Sequence, residues 1–292
     1  MRRIMVLGNA QRAGVLEEAS ILLPYLRNHA DVVHVDLLQE SDLNGIDAEL
    51  TLVLGGDGAI LRAVRQMAYH QRPILGINLG RLGFLADLTS EEFKEHLQRI
   101  LQDEYHITEH LMFEATYLLP GETETTRPPF LGLNDLSVHT GPPFHMLELD
   151  LVIHGEPAAR YSGDGLIVST PVGSTAHSLS AGGPIVSQEL AAFVITPICA
   201  HGLTSRPLVD SADKEYTIGI RRATNAMLVI DGQECIELPV ESRVVVRRAP
   251  VTFKLARVTG RSYYRTLHDK LYWGMQPSYR PEPPRPGDRT GN

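Results

Sequence analysis

The sequence predicts an α/β N-terminal domain with a parallel, doubly wound (Rossmann-like) sheet, followed by an all-β C-terminal domain. Three observations support this fold class. Up to about residue 105, short apolar segments alternate with helical patterns, which is typical of a parallel sheet with crossover helices. Beyond that point, short segments rich in β-branched residues follow one another without helices between them. With 292 residues, the chain is long enough to bury two cores.

The N-terminal domain is predicted to contain four strands and three helices. Apolar runs at 4–7, 32–35, 50–54 and 74–77 predict the strands, and apolar periodicity at 15–28, 59–69 and 89–102 predicts the helices. The third helix has a clear start, because Thr89 and Glu92 have the spacing of a capping box. In sheets of this type, ligands bind beyond the carboxyl ends of the strands. The loops after 50–54 and 74–77 are therefore the first candidates for a site.

The C-terminal domain is predicted to be a sandwich or a layered sheet. His154-Gly155 and Asp231-Gly232 indicate tight turns within it. We place the domains at 1–105 and 106–258, with residues 259–274 completing the first, and expect disorder in the proline-rich segment 275–292. Strands are expected near 111–119, 130–139, 146–153, 157–161, 165–170, 192–198, 214–221, 226–231, 243–248 and 251–258.

Composition and charge favour a cytoplasmic protein without nucleic-acid or membrane partners. The formal net charge of −8 provides no basic surface for nucleic acid. The sequence has no apolar run of about 18 residues, the length expected of a transmembrane helix. Its first strand begins too early for a signal peptide. Cys199 and Cys235 have no metal-type spacing, and we expect them to be buried, reduced thiols.

The segment Gly55-Gly56-Asp57-Gly58 carries the strongest local signal for chemistry. It joins a buried strand to a helix, so bare backbone N–H groups and a helix N-terminus meet there, which suits a phosphate group. Asp57 would repel phosphate as a direct ligand, but it fits a metal ligand or a base for an attacking hydroxyl. A tight turn with Asp57 as a helix N-cap is the structural alternative, and the loop alone does not decide between them.

Three further segments are candidates for a polar ligand site. The run 164–184 contains a strand, a Pro-Gly break, several hydroxyl residues and a Gly-Gly-Pro stop, so a polar ligand could approach its backbone closely. Asn134-Asp135 heads a strand, where an Asx turn is the simpler explanation. The segment 201–207 contains a His and an Arg that, taken singly, are typical of solvated loops. The Gly-x-Gly-x-x-Gly fingerprint and the P-loop pattern are absent from the sequence.

Taken together and in this order, these segments resemble the NAD kinase family. The matching segments are 55–58, 78–85, 134–135, 164–184 and 201–207, and the closing segments 262–267 and 271–273 also look like those of the family. The resemblance covers residues 1–274. The Gly-Gly-Asp-Gly loop is shared with lipid kinases and phosphofructokinases, whereas the run 164–184 is highly specific to the family.

The resemblance implies an NAD kinase-like architecture and transfer of a phosphoryl group from ATP, or from inorganic polyphosphate, to the adenosine 2′-hydroxyl of NAD. Asp57 is then the expected general base, and a divalent metal cation, Mg²⁺, is the expected cofactor. Domain 1–105 would hold the phosphate donor and domain 106–258 would hold NAD. The implied donor-binding residues are Gly55, Gly56, Gly58 and Arg62. The implied NAD-binding residues are Asp57, Gly58, Asn134, Asp135, His145, Asp164, Thr175, Ala176, His177, Ser178, Ser180, His201 and Gln233.

The resemblance also implies a homodimer or homotetramer with β domains in contact. Ala59, Asp135 and His177 stand where many members of the family have Thr, Glu and Tyr, and none of these departures removes the expected base. Two alternative functions stay open. A lipid or sugar kinase could share the glycine loop, although the run 164–184 argues against it. A sensor could bind NAD or NADP without catalysis, although the presence of Asp57 argues against it.

Overall fold

The structure, a computed structural model, describes residues 1–80, 83–86, 88–260 and 262–274. The predicted disordered segment 275–292, and Arg81 and Leu82 of the segment 78–85, lie outside the described residues. Met1–Val258 form one compact unit and the chain from Thr259 forms a second. Within the second unit, the helix Tyr263–Leu271 begins after Ser262, whose hydroxyl accepts the Arg265 N–H at 3.2 Å.

The N-terminal part contains the four strands and three helices that the sequence predicts. The helix after the glycine loop begins at Asp57, two residues earlier than expected. The capping box of the third helix is confirmed, because Thr89 Oγ1 accepts the Glu92 N–H and the Glu92 carboxylate accepts the Thr89 N–H. The elements are β1 (Arg3–Gly8), α1 (Val15–Arg27), β2 (Asp31–Asp36), β3 (Leu50–Leu54), α2 (Asp57–Met67), β4 (Ile74–Ile77) and α3 (Ser90–Leu101).

These strands form a parallel sheet in the order β2-β1-β3-β4. The chain passes from β1 to β2 in one direction and then returns across β1 to β3. The strand order therefore reverses between β1 and β3, and a crevice at the carboxyl ends of the strands is expected at such a reversal. The loops that follow β1, β3 and β4 all leave the sheet at this edge.

The C-terminal part is built from strands, as predicted, which pair with one another in antiparallel fashion, and it contains one short helical insertion. Residues 130–139, expected as one strand, form two, because the N–H groups between them are bonded to the Asp231 side chain instead of to a strand. The elements are β5 (His106–Leu118), β6 (Phe130–Gly132), β7 (Asp135–Thr140), β8 (Leu147–Ile153), β9 (Glu156–Gly163), β10 (Gly165–Ser169), a 3₁₀ turn (Gly173–Thr175), α4 (His177–Ser180), β11 (Ala192–Ile198), β12 (Leu208–Ser211), β13 (Tyr216–Arg222), β14 (Ala226–Ile230), β15 (Glu234–Leu238) and β16 (Arg243–Arg257).

Three further differences from the predicted strands have local causes. β16 is a single strand where two were expected, because the chain passes Pro250 with an irregular register and continues to pair with β5. β12 and β15 were not predicted. Both are short strands at the edges of a sheet, where half-exposed residues leave little apolar periodicity.

Two sheets organise the unit Met1–Val258. A six-stranded antiparallel sheet has the order β12-β11-β10-β7-β14-β15. The second sheet continues from the parallel strands as β4-β16-β13-β8-β9, with β5 paired to β16 and β6 paired to β5. Because β16 pairs with β4, strands from both parts of the chain share this sheet. The division into domains 1–105 and 106–258 therefore stays a prediction.

The cores fill the spaces that this arrangement creates. Residues of β5, β8, β13 and β16 pack against β7, β10, β11 and β14 in one cluster, where the rings of Phe193 and Tyr216 meet edge to face at 5.6 Å. Two other clusters cover the two faces of the parallel strands. Among the described residues, no helix combines the length and apolar character needed to cross a membrane.

The expectation of buried cysteines is wrong. Cys199 and Cys235 are both free and exposed. Cys199 immediately follows the end of β11 in a left-handed conformation, with φ at 46°, and Cys235 lies on the edge strand β15. Strand ends and sheet edges have fewer covering neighbours than strand centres, and the sequence near a cysteine does not reveal that position.

Candidate active site

A cleft lies at the carboxyl ends of β1, β3 and β4, where the strand order reverses. It encloses about 480 Å³, a volume typical of small-molecule sites. Each strand contributes the loop that follows it, and the turn between β14 and β15 reaches the cleft from the other part of the chain. The lining residues include Asn9, Arg12, Gly55, Gly56, Gly58, Arg62, Asn78, Gly80 and Gln233.

The glycines of the predicted phosphate loop differ in what the fold requires of them. Gly55 has a φ of 140°, and a Cβ added there would lie 2.8 Å from the Cβ of Ala59, so the backbone itself needs glycine. Gly56 and Gly58 have no such requirement, because a Cβ added to either meets no atom of the described residues within 4 Å. The turn alternative therefore explains Gly55 and leaves Gly56 and Gly58 unexplained. Both border the cleft, where a missing side chain leaves the backbone N–H groups accessible.

Asp57 does not cap its own helix. The N-cap of α2 is Gly56, and the Asp57 carboxylate instead accepts three successive backbone N–H groups. Oδ2 accepts from Phe84 at 2.8 Å, and Oδ1 accepts from Leu85 and Ala86 at 3.0 Å each. The N-cap interpretation of Asp57 is therefore wrong. The carboxylate fixes the 83–86 loop against the head of α2.

Two arginines give the cleft positive charge. Arg12 and Arg62 are exposed and line it from the β1 loop and from α2. In the part of the chain that the structure describes, neither has a carboxylate within ion-pair distance. The head of α2 adds the positive end of a helix dipole. These groups can bind an anion although the whole chain carries a formal charge of −8.

Asn134 and Asp135 lie at the start of β7 and are fixed by a carboxylate that the sequence did not single out. Asp231 accepts the N–H groups of Leu133 at 2.9 Å, Asn134 at 2.8 Å and Asp135 at 3.1 Å. The Asp231 N–H also donates to the Asp135 carbonyl at 2.8 Å. The only signal in the sequence was the Asp-Gly turn. Its partners lie about a hundred residues earlier in the chain.

Two contacts connect this region with the phosphate loop. The Gln233 Nε2 donates to the Gly58 carbonyl at 3.3 Å. The Arg65 guanidinium of α2 pairs with the Glu234 carboxylate at 3.0 Å. The turn that holds Asn134 and Asp135 therefore also contacts the helix that begins with Asp57.

Burial sets the protonation of Asp135 and its neighbours. Burial, followed by the nearby Asp231 charge, raises the pKa of Asp135 to about 7. Burial also raises the pKa of Asp231, although its three N–H donors oppose that shift. His177 Nδ1 lies 3.9 Å from Asp135 Oδ1, but burial and His139 lower the His177 pKa. At neutral pH this contact is therefore not a full ion pair.

Asp135→Asn is expected to stabilise the protein at alkaline pH. Folding raises the pKa of Asp135 above its unfolded value, so the buried carboxyl resists ionisation. The wild-type protein therefore has its full stability below about pH 4, where the carboxyl is protonated, and loses stability as the pH rises through about 7. The variant should gain up to about 4 kcal/mol in unfolding free energy at pH 8 and nothing at pH 4. Urea unfolding of both proteins across this range measures the difference. An equal gain at both pH values would contradict the assigned titration.

The other implied NAD-binding residues lie at two ends of β7 and β10. Asp135 pairs with Ser169 at one end, and His139 pairs with Gly165 at the other. Thr175, Ala176, His177 and Ser180 lie together on the 3₁₀ turn and α4, and His177 approaches Asp135. Ser178 is fully buried, and its hydroxyl is hydrogen-bonded to Thr196 Oγ1 at 2.8 Å.

Asp164, His145 and His201 lie near the opposite end of β7 and are exposed. Thr140 connects the first two, because its N–H donates to the Asp164 carbonyl and its hydroxyl donates to the His145 carbonyl at 2.7 Å. The His201 N–H donates to the Ser162 carbonyl at 2.8 Å. None of these three residues lines the cleft that contains the phosphate loop.

Comparison with known proteins identifies the family. The profile described as the ATP-NAD kinase N-terminal domain matches residues 27–105, and the profile of the ATP-NAD kinase C-terminal domain matches residues 133–258. The NAD kinase of Rhodopirellula baltica is 43% identical over 272 residues, covering 93% of this chain and 86% of that protein. The chain belongs to the NAD kinase family. The NAD kinase of Natranaerobius thermophilus is 36% identical over 290 residues, covering 94% and 100% of the two chains.

Two solved structures share the fold with this NAD kinase family member. Yeast NADH kinase in complex with NADH has a TM-score of 0.85 at 23% identity, covering 94% of this chain and 89% of that chain. An NAD kinase from Archaeoglobus fulgidus in complex with ATP has a TM-score of 0.71 at 24% identity, covering 92% and 98%. The predicted fold class is confirmed. As a family member, the chain is a phosphotransferase that phosphorylates NAD at an alcohol group.

Proposed function

We propose that this enzyme transfers the terminal phosphoryl group of ATP to the adenosine 2′-hydroxyl of NAD, with Asp57 as the general base. The two contacts between the β14–β15 turn and α2 are the main support for this proposal. Through Gln233 and Glu234, the segment that contains Asn134 and Asp135 is held beside the helix that begins with Asp57. A nucleoside bound by that segment would therefore lie close to both the base and the phosphate loop.

Asp57 is suited to accept one proton. Among the described residues, its Oδ2 accepts one N–H, from Phe84, which leaves a lone pair for the substrate hydroxyl. As the bond from the 2′-oxygen to the terminal phosphorus forms, the bond from that phosphorus to the bridging oxygen breaks. The hydroxyl proton passes to Oδ2, and ADP leaves. The three N–H groups on the carboxylate fix its orientation, so no reorganisation is needed during transfer.

The donor phosphates would bind in the cleft between the β1 and β3 loops. Arg12 and Arg62 provide the cationic side chains, and the accessible backbone at Gly56 and Gly58 provides neutral donors at the head of α2. Phosphoryl transfer depends mainly on positioning and on electrostatic stabilisation of the transferred group. The two arginines and the backbone N–H groups could provide both the positioning and the electrostatic stabilisation. The likeness to the Archaeoglobus NAD kinase, whose structure is a complex with ATP, also supports ATP as the donor.

A magnesium ion would fit this site as a companion of the phosphates. Within the described ranges, no group of three or more acidic, His or Cys residues could hold a metal by itself. Mg²⁺ usually keeps several waters and takes one or two carboxylates together with phosphate oxygens. The donor phosphates would supply the protein-independent ligands, because the Asp57 carboxylate already accepts three N–H groups and is assigned to the substrate hydroxyl. The ion would neutralise charge on the donor phosphates and on the transferred group.

The NAD site would extend along β7 and β10 from the adenosine end at Asp135 toward Asp164. Asn134, Asp135, Thr175, Ala176, His177 and Ser180 would contact the adenosine, with Gln233 and Gly58 at the junction with the donor cleft. His145, Asp164 and His201 would lie toward the nicotinamide end. We leave Ser178 out of the direct contacts, because its hydroxyl is buried and bonded to Thr196. The likeness to yeast NADH kinase with bound NADH supports a dinucleotide ligand of this class.

A cytoplasmic homodimer or homotetramer belongs to the same proposal. The edge strand β12 and the segment before it expose apolar side chains, with Leu203 at 93%, Leu208 at 40% and Val209 at 45% of full exposure. Apolar residues on an unpaired strand edge favour association with another chain. Analytical ultracentrifugation of the purified enzyme would test the assembly.

A coupled assay tests the reaction. The enzyme is incubated with NAD, ATP and MgCl₂, and NADP is measured with an NADP-specific dehydrogenase and identified by mass spectrometry. Parallel reactions replace NAD by NADH and ATP by polyphosphate, and controls omit the donor or the metal. We expect NADP only when donor and metal are both present. Absence of the 2′-phosphorylated product from every combination would refute the proposal.

Gly58→Ala separates a structural from a catalytic role of the glycine loop. The added methyl group meets no atom of the described residues within 4 Å, and alanine favours a helix, so the melting temperature should be unchanged or higher. The Michaelis constant for ATP should nevertheless rise about tenfold, because the methyl group occupies the side of the cleft where phosphate would approach. Gly219→Ala on β13, whose added Cβ makes ordinary contacts only, is the matched control. An unchanged Michaelis constant would contradict phosphate binding at Gly58.

A further inference from the structure

The turn between β14 and β15 contains a carboxylate that the proposed mechanism does not use. The Gln233 N–H donates to the Ile230 carbonyl at 2.9 Å, and both central residues are left-handed, with φ at 48° for Asp231 and 64° for Gly232. Turns of this type favour Asn, Asp or Gly at these positions because of their backbone conformation. The turn alone therefore does not require a negative charge at Asp231.

The Asp231 carboxylate is buried in the protein, although the residues of the turn are partly exposed to solvent. A buried charge is costly unless it is well hydrogen-bonded. Here it receives the N–H groups of Leu133 and Asn134, which lie between β6 and β7, and of Asp135, the first residue of β7. The carboxylate therefore fixes the backbone where the chain leaves β6 and enters β7, and two of these three residues are implied to contact NAD.

The opposite side of this segment is also held by the fold. The Thr170 N–H donates to the Asn134 carbonyl at 2.9 Å, and the Thr170 hydroxyl donates to the Leu133 carbonyl at 2.5 Å. A Cβ added at Gly173 would lie 2.0 Å from the Asn134 carbonyl oxygen, so the two backbones pack directly together. The backbone of residues 133–135 is therefore held from two sides, by Asp231 and by residues 170–173.

The same turn contacts the catalytic helix. Gln233 and Glu234, the two residues after Gly232, reach the Gly58 carbonyl and the Arg65 guanidinium of α2. Arg65 also stabilises the Asp231 charge. A displacement of the Asp231 carboxylate would therefore change the orientation of Asn134 and Asp135, while Gln233 and Glu234 still hold the turn beside α2.

We propose that Asp231 is a positioning residue of the NAD site, whose carboxylate fixes the backbone that presents Asn134 and Asp135 to the nucleoside beside the head of α2. The inference rests on the proposed function of that site. It assigns no contact between Asp231 and substrate. Its consequence is that NAD binding should depend on Asp231, whereas ATP binding, at the loops of the parallel sheet, should not.

Asp231→Asn tests this dependence. The amide keeps one acceptor oxygen but turns an NH₂ group toward a backbone N–H, so at least one of the three bonds is lost. We expect the Michaelis constant for NAD and the calorimetric dissociation constant for NAD to rise about tenfold. The Michaelis constant for ATP should stay within about twofold and kcat at saturating NAD within about threefold. The control is Glu237→Gln, an exposed carboxamide substitution on β15, which should leave all four values unchanged.

A pH measurement adds a readout that a merely structural residue would not change. The titratable groups facing Asp135 are Asp231 from the turn and His177 from α4, with Arg65 of α2 acting on Asp231. Removing the Asp231 charge should lower the pKa of Asp135 from about 7. The midpoint at which NAD affinity changes with pH should therefore move to lower pH in Asp231→Asn.

The outcomes separate this inference from the proposed function. Formation of NADP by the wild-type enzyme tests the reaction, whereas NAD binding by calorimetry tests Asp231 without turnover. Unchanged NAD affinity in Asp231→Asn, or an equal loss of NAD and ATP affinity, would overturn the positioning role. If that variant does not fold, Asp231→Glu, which keeps the charge but displaces the carboxylate, takes its place with the same selective loss of NAD affinity expected.

Discussion

Asp57→Asn is expected to lower kcat by about two to four orders of magnitude. An amide cannot accept the proton of the 2′-hydroxyl, so general-base catalysis is lost while the phosphate loop and the NAD site remain. The Michaelis constants for ATP and NAD should change far less than kcat, because the proton is transferred only in the transition state. Single-turnover measurements of NADP formation would separate the chemical step from product release.

The structure adds a second consequence of the same substitution. Asp57 accepts three backbone N–H groups from the 83–86 loop, and asparagine offers one acceptor oxygen. The NH₂ group must face at least one N–H, which should cost about 1–3 kcal/mol of stability and increase amide exchange at 84–86. Glu95→Gln, an exposed change on α3, is the control for loss of a charge alone. Turnover near the wild-type value in Asp57→Asn would exclude Asp57 as the base.

Gly83→Ala should reduce kcat by about 100-fold although the Asp57 carboxylate is still present. A Cβ at residue 83 would lie 1.9 Å from Asp57 Oδ1 and 2.5 Å from its Cγ, far inside van der Waals contact. The carboxylate or the loop must therefore move by about 1 Å, and displacements of that size at a reacting group have effects of this order. Overpacking should also lower the unfolding free energy by about 1–3 kcal/mol.

The comparison of Gly83→Ala with Gly219→Ala isolates the effect of position. At Gly219 the added Cβ makes only contacts near 4 Å, so its turnover and melting temperature should match the wild type. The two large predictions also complement each other, because Asp57→Asn removes the acceptor and Gly83→Ala misplaces it. Wild-type kcat in a folded Gly83→Ala enzyme would mean that the orientation of the Asp57 carboxylate does not limit the reaction.

Two aspartates in this enzyme hold backbone in the same way. Asp57 binds the N–H groups of residues 84–86, and Asp231 binds those of residues 133–135. In both cases one carboxylate fixes the backbone of three successive residues, 84–86 in a loop and 133–135 at the entry to β7. Asp57 begins the helix after the glycine loop and is the proposed base, whereas Asp231 holds the backbone of residues implied to bind NAD and is assigned no contact with substrate.

Much of the fold could be predicted because its signals are local. Strands β3 and β4 occupy the predicted residues, and the capping box at Thr89 forms as its spacing indicates. The turns at His154-Gly155 and Asp231-Gly232 have the left-handed residues expected of them. Periodicity, capping and turn chemistry depend on neighbours within a few residues, so the sequence expresses them directly.

The sequence-based predictions that were wrong or missing concern features that depend on residues distant in the chain. The exposure of Cys199 and Cys235 follows from their positions at a strand end and a sheet edge. The edge strands β12 and β15 have too little apolar alternation to be recognised. Asp57 could be assigned as a helix cap from its sequence context, yet its carboxylate bonds to residues 27 to 29 positions away.

The sequence by itself determined the fold class, the order of most elements, the glycine loop and the family, because these rest on periodicity and on motifs of adjacent residues. Only the tertiary structure decided which glycines the backbone requires, that Asp57 binds the 83–86 loop, and that Asp231 binds the N–H groups of residues 133–135. It also decided the protonation of Asp135, whose pKa depends on burial and on a carboxylate 96 residues away. Burial and long-range hydrogen bonds exist only after distant segments meet, so no local pattern can encode them.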